Sequence, residues 1–122
     1  MKVLLSIKPE FVQKIFFRSK KYEFRKVLFK KDVESVVIYS TMPVGRIVGE
    51  FTIKNILSDT PVNVWEQTKA YAGINYEYFS QYFWGRQLAH AIEIGELIKY
   101  EVEIDPFRDF PDFVAPQSFR YI

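Results

Sequence analysis

The stretch Arg18-Ser19-Lys20-Lys21-Tyr22-Glu23-Phe24-Arg25-Lys26, RSKKYEFRK, decides how this chain is read. Tyr22 and Phe24 alternate with Lys21, Glu23 and Arg25, which is the period of a strand with one buried face. The other face gathers cations around a single carboxylate. Residues two apart on a strand project to the same side, roughly 6.5–7 Å from one another. Glu23 and Arg25 therefore share a side, and Lys20 enters it from the preceding turn. Two readings fit. One is an exposed strand face carrying a weak surface ion pair. The other is a cleft wall, where a carboxylate between two cations stays ionised and aims the Arg25 guanidinium. Arg25 is then a fork for phosphate, or for the carbonyl and ring nitrogen of a base. Lys20 suits a phosphate or carbonyl oxygen and Glu23 an exocyclic amine, so the second reading describes a nucleotide site.

Working outward, Val3, Leu5 and Ile7 alternate with Leu4, Ser6 and Lys8 in a first strand, and Pro9 opens a helix with Phe11, Val12, Ile15 and Phe16 as its apolar stripe. Ser35–Ser40 is a strand of β-branched residues, and Ile47–Lys54 is the longest alternating run, with Gly49 marking a bulge, a bend or a close approach. Pro61 follows Ser58-Asp59-Thr60 at a helix start, and Gly73 stops that helix. A second helix runs from about Asn75 to Gly85. Leu88–Ile94 and, after Gly95-Glu96, Tyr100–Ile104 read as two further strands. The Pro- and aromatic-rich segment from Asp105 to Ile122 has no helical period and is expected to lie as a strap across the body. About six short strands, most joined by short turns, with helices after the first strand and before the last pair, predict an α+β fold built on a small mixed barrel, with an open sheet as the alternative.

With 122 residues the chain is expected to form one domain, residues 1–122, able to bury a core unaided. A net charge of +2 is far below that of a dedicated non-specific nucleic-acid binder, yet cations crowd Lys2–Lys31 and acids crowd Glu93–Asp112, which predicts a basic patch. Without cysteine there is no disulfide, thiolate nucleophile or thiolate zinc site, and the one histidine cannot build a His-rich metal site. No metal or cofactor is expected. No window approaches the ~18 uninterrupted apolar residues of a membrane span, so the chain reads as soluble and cytoplasmic.

Ser-Ile-Lys-Pro (residues 6–9) closing a first strand, a helix, and then a K-x-x-E-x-R strand resemble the ASCH domains of the PUA-like superfamily. Their signature is a G-x-K-x-x-E-x-R block after the first helix. Lys20, Glu23 and Arg25 occupy its last three fixed positions, while Arg18 stands at the glycine, so the turn geometry is expected to differ. The closing PQSFRYI, residues 116–122, is similar to tails of small prokaryotic and phage members. The resemblance implies a β-barrel with a cleft lined by the block, suited to RNA, nucleotides or modified nucleosides. Members have been proposed as RNA-binding modules and transcription co-regulators. A related branch hydrolyses acetylcytidine, using a Lys at the Lys20 position to activate a Thr hydroxyl, with a separate Glu handling protons. This chain carries Glu23 at the Thr position, which removes that nucleophile but leaves a general base towards water.

Further candidates for the cleft are Lys8 and Ser6 on the polar face of the first strand, Ser40 at a strand end, Glu50 as a second carboxylate, and Gln117, Ser118 and Arg120 closing over it from the tail. For each, a solvated edge, a turn or packing is the competing reading. His90 reads as a satisfied core histidine, and Trp65 with Tyr78, Phe79, Tyr82 and Phe83 as core. Three functions follow: a module binding RNA or a nucleotide, an amidohydrolase acting on an acylated nucleoside, and an interaction scaffold using the aromatic tail. The amidohydrolase requires a depressed Lys20 pKa or a raised Glu23 pKa.

Overall fold

In the computed structural model, which describes residues 1–122, the first strand sorts the chain's apolar residues into two layers. β1 (Lys2–Ile7) sends Val3, Leu5 and Ile7 into the main core, while Leu4 joins a separate cluster with Val37, Tyr39 and Ile47. α1 (Pro9–Phe16) follows and contributes Val12 and Ile15 to the main core. β2 (Tyr22–Arg25), β3 (Ser35–Ser40), β4 (Arg46–Asp59), β5 (Ala89–Ile104) and β6 (Phe119–Tyr121) complete one sheet in the order β2-β5-β4-β3-β1-β6. Only β1 and β3 pair in parallel, in register from Lys2↔Ser35 to Ile7↔Ser40. The sheet curls into a half-barrel around the main core, the mixed barrel with inserted helices expected of an α+β chain.

Six strands are present, but not the six read from the pattern. β5 is continuous through Gly95-Glu96, because Gly95 lets β4 come close: a Cβ there would sit 2.5 Å from Thr52 Oγ1. That hydroxyl accepts from the Glu96 amide instead, at 2.8 Å. A glycine marks close approach here, not a strand end. Leu88 is exposed and precedes β5. The sixth strand comes from the tail, where β6 pairs with β1 through Val3↔Tyr121 and Leu5↔Phe119. The rest of the tail is the expected strap: α4 (Pro106–Asp109) leads to Phe113 and Ala115, which cover the Leu4/Val37/Tyr39/Ile47 cluster. At Gly49 the register shifts against both neighbours, and a Cβ would meet Ile98 O at 2.5 Å, so bulge and close approach coincide.

α1 ends in a way that settles the Arg18 question. Arg18 takes φ 63°, its amide donates to Ile15 O, and the Ser19 amide donates to Lys14 O at 3.1 Å. These are the paired bonds of a Schellman C-cap, which needs a left-handed residue at this position. The arginine thus adopts the conformation a glycine takes freely, and the turn is kept in spite of the side chain.

α2 (Pro61–Thr68), capped by Thr60, stops before Gly73 and passes into a short 3-10 turn at Lys69–Tyr71. α3 (Tyr76–Tyr82) starts at Asn75, whose side chain accepts from the Tyr78 amide at 2.8 Å. The two helices bury Val64, Ala72, Phe79 and Phe83 against Phe24, Ala89 and Ala91. That second core presses α3 over β2. No helix is long and apolar enough to cross a membrane.

Candidate ligand-binding cleft

β2 is an edge strand of the sheet with α3 packed over it, and this explains the fate of its polar residues. Lys20 and Glu23 are buried, 2 % and 5 % exposed, so the exposed-strand reading fails. They share a cavity of about 230 Å³ with Ser6, Lys8, Phe11, Arg25, Ile74, Tyr78, Tyr82 and Gln117. The lining comes from four separate stretches of sequence, 6–11, 20–25, 74–82 and Gln117 of the tail.

Lys20 is held by the Ala72 backbone carbonyl and by rings. Its Nζ donates to Ala72 O at 2.8 Å and lies 4.7 Å from the Phe24 ring centroid and 5.3 Å from that of Phe11. Gly73, at φ 71°, leaves room for the stem, since a Cβ there would be 2.5 Å from Lys20 Cβ. Burial lowers the Lys20 amino group to about 8, with the Glu23 charge opposing that shift and Lys14 adding to it. Glu23 behaves in the converse way. Burial pushes its carboxyl up, and Lys20, Arg25 and, least, the Phe24 backbone pull it down without prevailing. The sequence reading has the two cations hold this carboxylate ionised; enclosure works against them and moves the carboxyl upward. No side chain donates a hydrogen bond to Glu23, and its ion-pair contact is Arg25 Nη1 at 3.8 Å.

Arg25 is engaged elsewhere. Nη2 donates to Ser118 Oγ at 2.7 Å and to Ser118 O at 3.0 Å, and Nη1 donates to Ser6 O at 3.4 Å. The guanidinium clamps the tail and β1 to β2, and so is not the free fork read from the sequence. Ser6 Oγ is also taken, donating to Pro116 O at 2.6 Å. Lys8, exposed at the rim, has its Nζ 3.3 Å from Tyr78 Oη. Gln117 reaches the wall as expected.

Four candidates fall outside, Ser118 among them, since it meets Arg25 and lines only an adjoining groove. Ser40 is buried at the end of β3, opposite Ile7, and does not line the cleft. Arg120 faces a different cavity, with Leu4, Ile47 and Phe113, because β6 turns Phe119 and Tyr121 to the main core and must turn the residue between them outward. Glu50 forms an ion pair with Lys2 at 2.8 Å instead. His90 is half-buried on β5, with Nδ1 2.7 Å from Ser58 Oγ.

Tyr78 and Tyr82 are the residues that the sequence reading missed. Phe79 and Phe83 are core, but the tyrosines one position earlier face the cleft. The signal was the hydroxyl: in two adjacent i,i+4 stripes on α3, one carries only Phe and the other only Tyr, and Tyr favours sites with one wet end. Phe11, read as core, is half-buried and lines the wall in edge contact with Tyr78 at 5.6 Å. No group of three His, Cys, Asp or Glu side chains is arranged to hold a metal ion.

The ASCH domain family model matches residues 5–102, four-fifths of the chain, including every cleft residue except Gln117. The chain belongs to the ASCH domain family. The fold agrees: the crystal structure of ASCH from Zymomonas mobilis superposes with a TM-score of 0.90 at 22% identity, over 99% of this chain and 87% of that one. A Tyr-to-Phe variant of the same bacterial protein also gives 0.90, over 99% and 89%. Among curated proteins, the chain is similar to "ATP synthase subunit alpha" of Ureaplasma parvum serovar 3, 28% identical over 98% of this chain. It is also 24% identical to "Large ribosomal subunit protein uL22" of that organism, again over 98% of this chain. The ASCH chain spans only 15% and 39% of the length of these two relatives. The family, of PUA-like fold, is often linked to RNA binding.

Proposed function

We propose that the cleft binds one base of an RNA, or a free nucleoside or nucleotide, as a recognition site. The observation that carries this reading is Glu23, an enclosed carboxylate on the cavity wall to which no protein side chain donates a hydrogen bond. Buried polar groups are nearly always paired, and a group left open towards a cavity is one that a ligand completes. An exocyclic amine supplies the missing donor. Lys20 uses one proton on Ala72 O and has two left for a carbonyl oxygen. Phe11, Tyr78 and Tyr82 offer faces for a planar ring, and Lys8 at the rim meets a phosphate. Amine, carbonyl and ring together describe cytosine or guanine. Arg25 and Ser118 act as the latch that closes the tail on the site.

A second reading has its own observation. The Lys20 amino group is lowered to about 8 and the Glu23 carboxyl is raised, the condition an amidohydrolase needs. In that reaction Glu23 takes a proton from water, the water oxygen bonds to the acyl carbon, the C–N bond breaks, and the proton passes to the leaving amine.

The test is a panel of ribonucleosides, acylated cytidines and short single-stranded RNAs, followed by thermal shift and by chromatography of products, with Glu23→Gln and Lys20→Met in parallel. Binding predicts a saturable rise in Tm that Glu23→Gln abolishes, with every ligand recovered intact. Deacylation lost in both variants makes the protein a hydrolase. A panel with neither shift nor product contradicts both readings.

A further inference from the structure

A second groove adjoins the cleft at Tyr82. Arg25, Tyr82 and Gln117, which wall one end of the cleft, also wall this groove of about 390 Å³. Its remaining lining is Lys26, Val27, Arg86, Ser118 and Phe119, with no Asp or Glu among them. Lys26 Nζ is stacked 4.6 Å from the Tyr82 ring centroid, which holds the ammonium at the boundary between the two cavities. Neither Lys26 nor Arg86 takes part in an ion pair, so both are open to an anion in the groove. Arg25 adds its charge while its Nη atoms stay on Ser6 and Ser118.

From this shared wall we infer that the ligand is a single strand of at least two nucleotides: the cleft takes one base and the adjoining groove takes the phosphodiester that leads to the next residue. The inference rests on the proposed nucleobase site and adds a substrate class to it. A cavity with one carboxylate and aromatic walls suits a base edge. A neighbouring groove with three cations and no carboxylate suits the anion joined to that base. Tyr82 stands between them, and its ring meets the sugar or the next base. Phe119 and Val27 give the groove an apolar side, as single-strand grooves need where bases follow the backbone. The strand's phosphate thus supplies the counter-charge that Lys26 and Arg86 lack within the fold.

The experiment compares cytidine, cytidine 5′- and 3′-monophosphate and the dinucleotide CpC, with the adenosine series alongside, by calorimetry at two salt concentrations. The proteins are the wild type, Glu23→Gln and the double variant Lys26→Ala/Arg86→Ala. Both groove residues are exposed, so the double variant keeps its fold, and far-ultraviolet circular dichroism checks that. We expect the dinucleotide to bind more tightly than the nucleoside. The double variant should weaken the dinucleotide roughly tenfold or more and leave the nucleoside unchanged. Its salt slope should fall by about 0.7 for each phosphate that the variant no longer neutralises. A mononucleotide that binds as tightly as the dinucleotide overturns the strand assignment. A nucleoside that binds as well as either, with no effect of the double variant, overturns the groove and leaves the base site standing. Failure of every ligand overturns both.

Discussion

The chain holds two neighbouring lysine–glutamate pairs in opposite conditions. Lys2 and Glu50 meet at 2.8 Å near the surface, and the hydrogen bond and charge of Glu50 raise the Lys2 amino group. Lys20 and Glu23 are enclosed, form no ion pair with one another, and shift the other way: burial lowers the lysine to about 8 and raises the carboxyl. Identical side chains therefore report different environments. The surface pair is complete, and water supplies whatever the partners do not. The buried pair is held less fully: Lys20 has one backbone carbonyl, no side chain donates to Glu23, and both face the cavity. Titratable groups enclosed on a cavity wall with shifted pKa values are where function is expected.

The strongest way to break this contrast is Gly73→Ala. The new Cβ overlaps the Lys20 stem, and alanine is strained at φ 71°, so we expect a loss of about 2–4 kcal/mol in urea unfolding, with binding at the cleft lost as well. Unchanged stability would show that Lys20 is not packed as described. A comparable loss, about 2–3 kcal/mol, is expected of Arg25→Ala, which removes the donors to Ser118 and Ser6. Hydrogen exchange should then speed up at Phe119–Tyr121 before the rest of the sheet; uniform exchange would contradict the latch.

pH sharpens the contrast further. Below pH 8 the folded and unfolded chains both hold the Lys20 proton, and the cost of enclosing an ammonium is present in full. Between about 8 and 10.5 the folded chain has released it while the unfolded chain has not, so stability rises with pH across that window. The gain is about 3–4 kcal/mol at most, each pKa unit being worth about 1.4 kcal/mol, and Lys20→Met should lack it. Equal pH profiles for the two proteins would exclude a depressed lysine. At the mild end, Lys2→Ala should leave Tm within experimental error, because an exposed pair is screened by water and salt. A clear drop would mean that the surface pair matters more than the contrast allows.

Much of this site was legible in the chain. The 2-residue period of Tyr22 and Phe24 places Glu23 and Arg25 on one side, and the block after the first helix identifies Lys20 as their neighbour. The enclosure was not legible, since the lid over β2 is α3, some fifty residues downstream, and nothing local to Glu23 announces it. Arg25 looked free because its partner Ser118 is 93 positions away. Gly95 looked like a terminator because a sequence does not separate a glycine that ends a strand from one that lets a neighbour approach. Arg18 kept the turn that its helix end demanded, so backbone hydrogen bonding decided there over side-chain preference.

The most direct measurement is the titration of the Lys20 amino group by heteronuclear NMR, in the free protein and with a saturating pyrimidine nucleotide. A midpoint near 8 that moves when the nucleotide binds is the predicted result. A midpoint at the ordinary 10.5, or one that the nucleotide leaves unchanged, would contradict the claim that this enclosed pair is the ligand's floor.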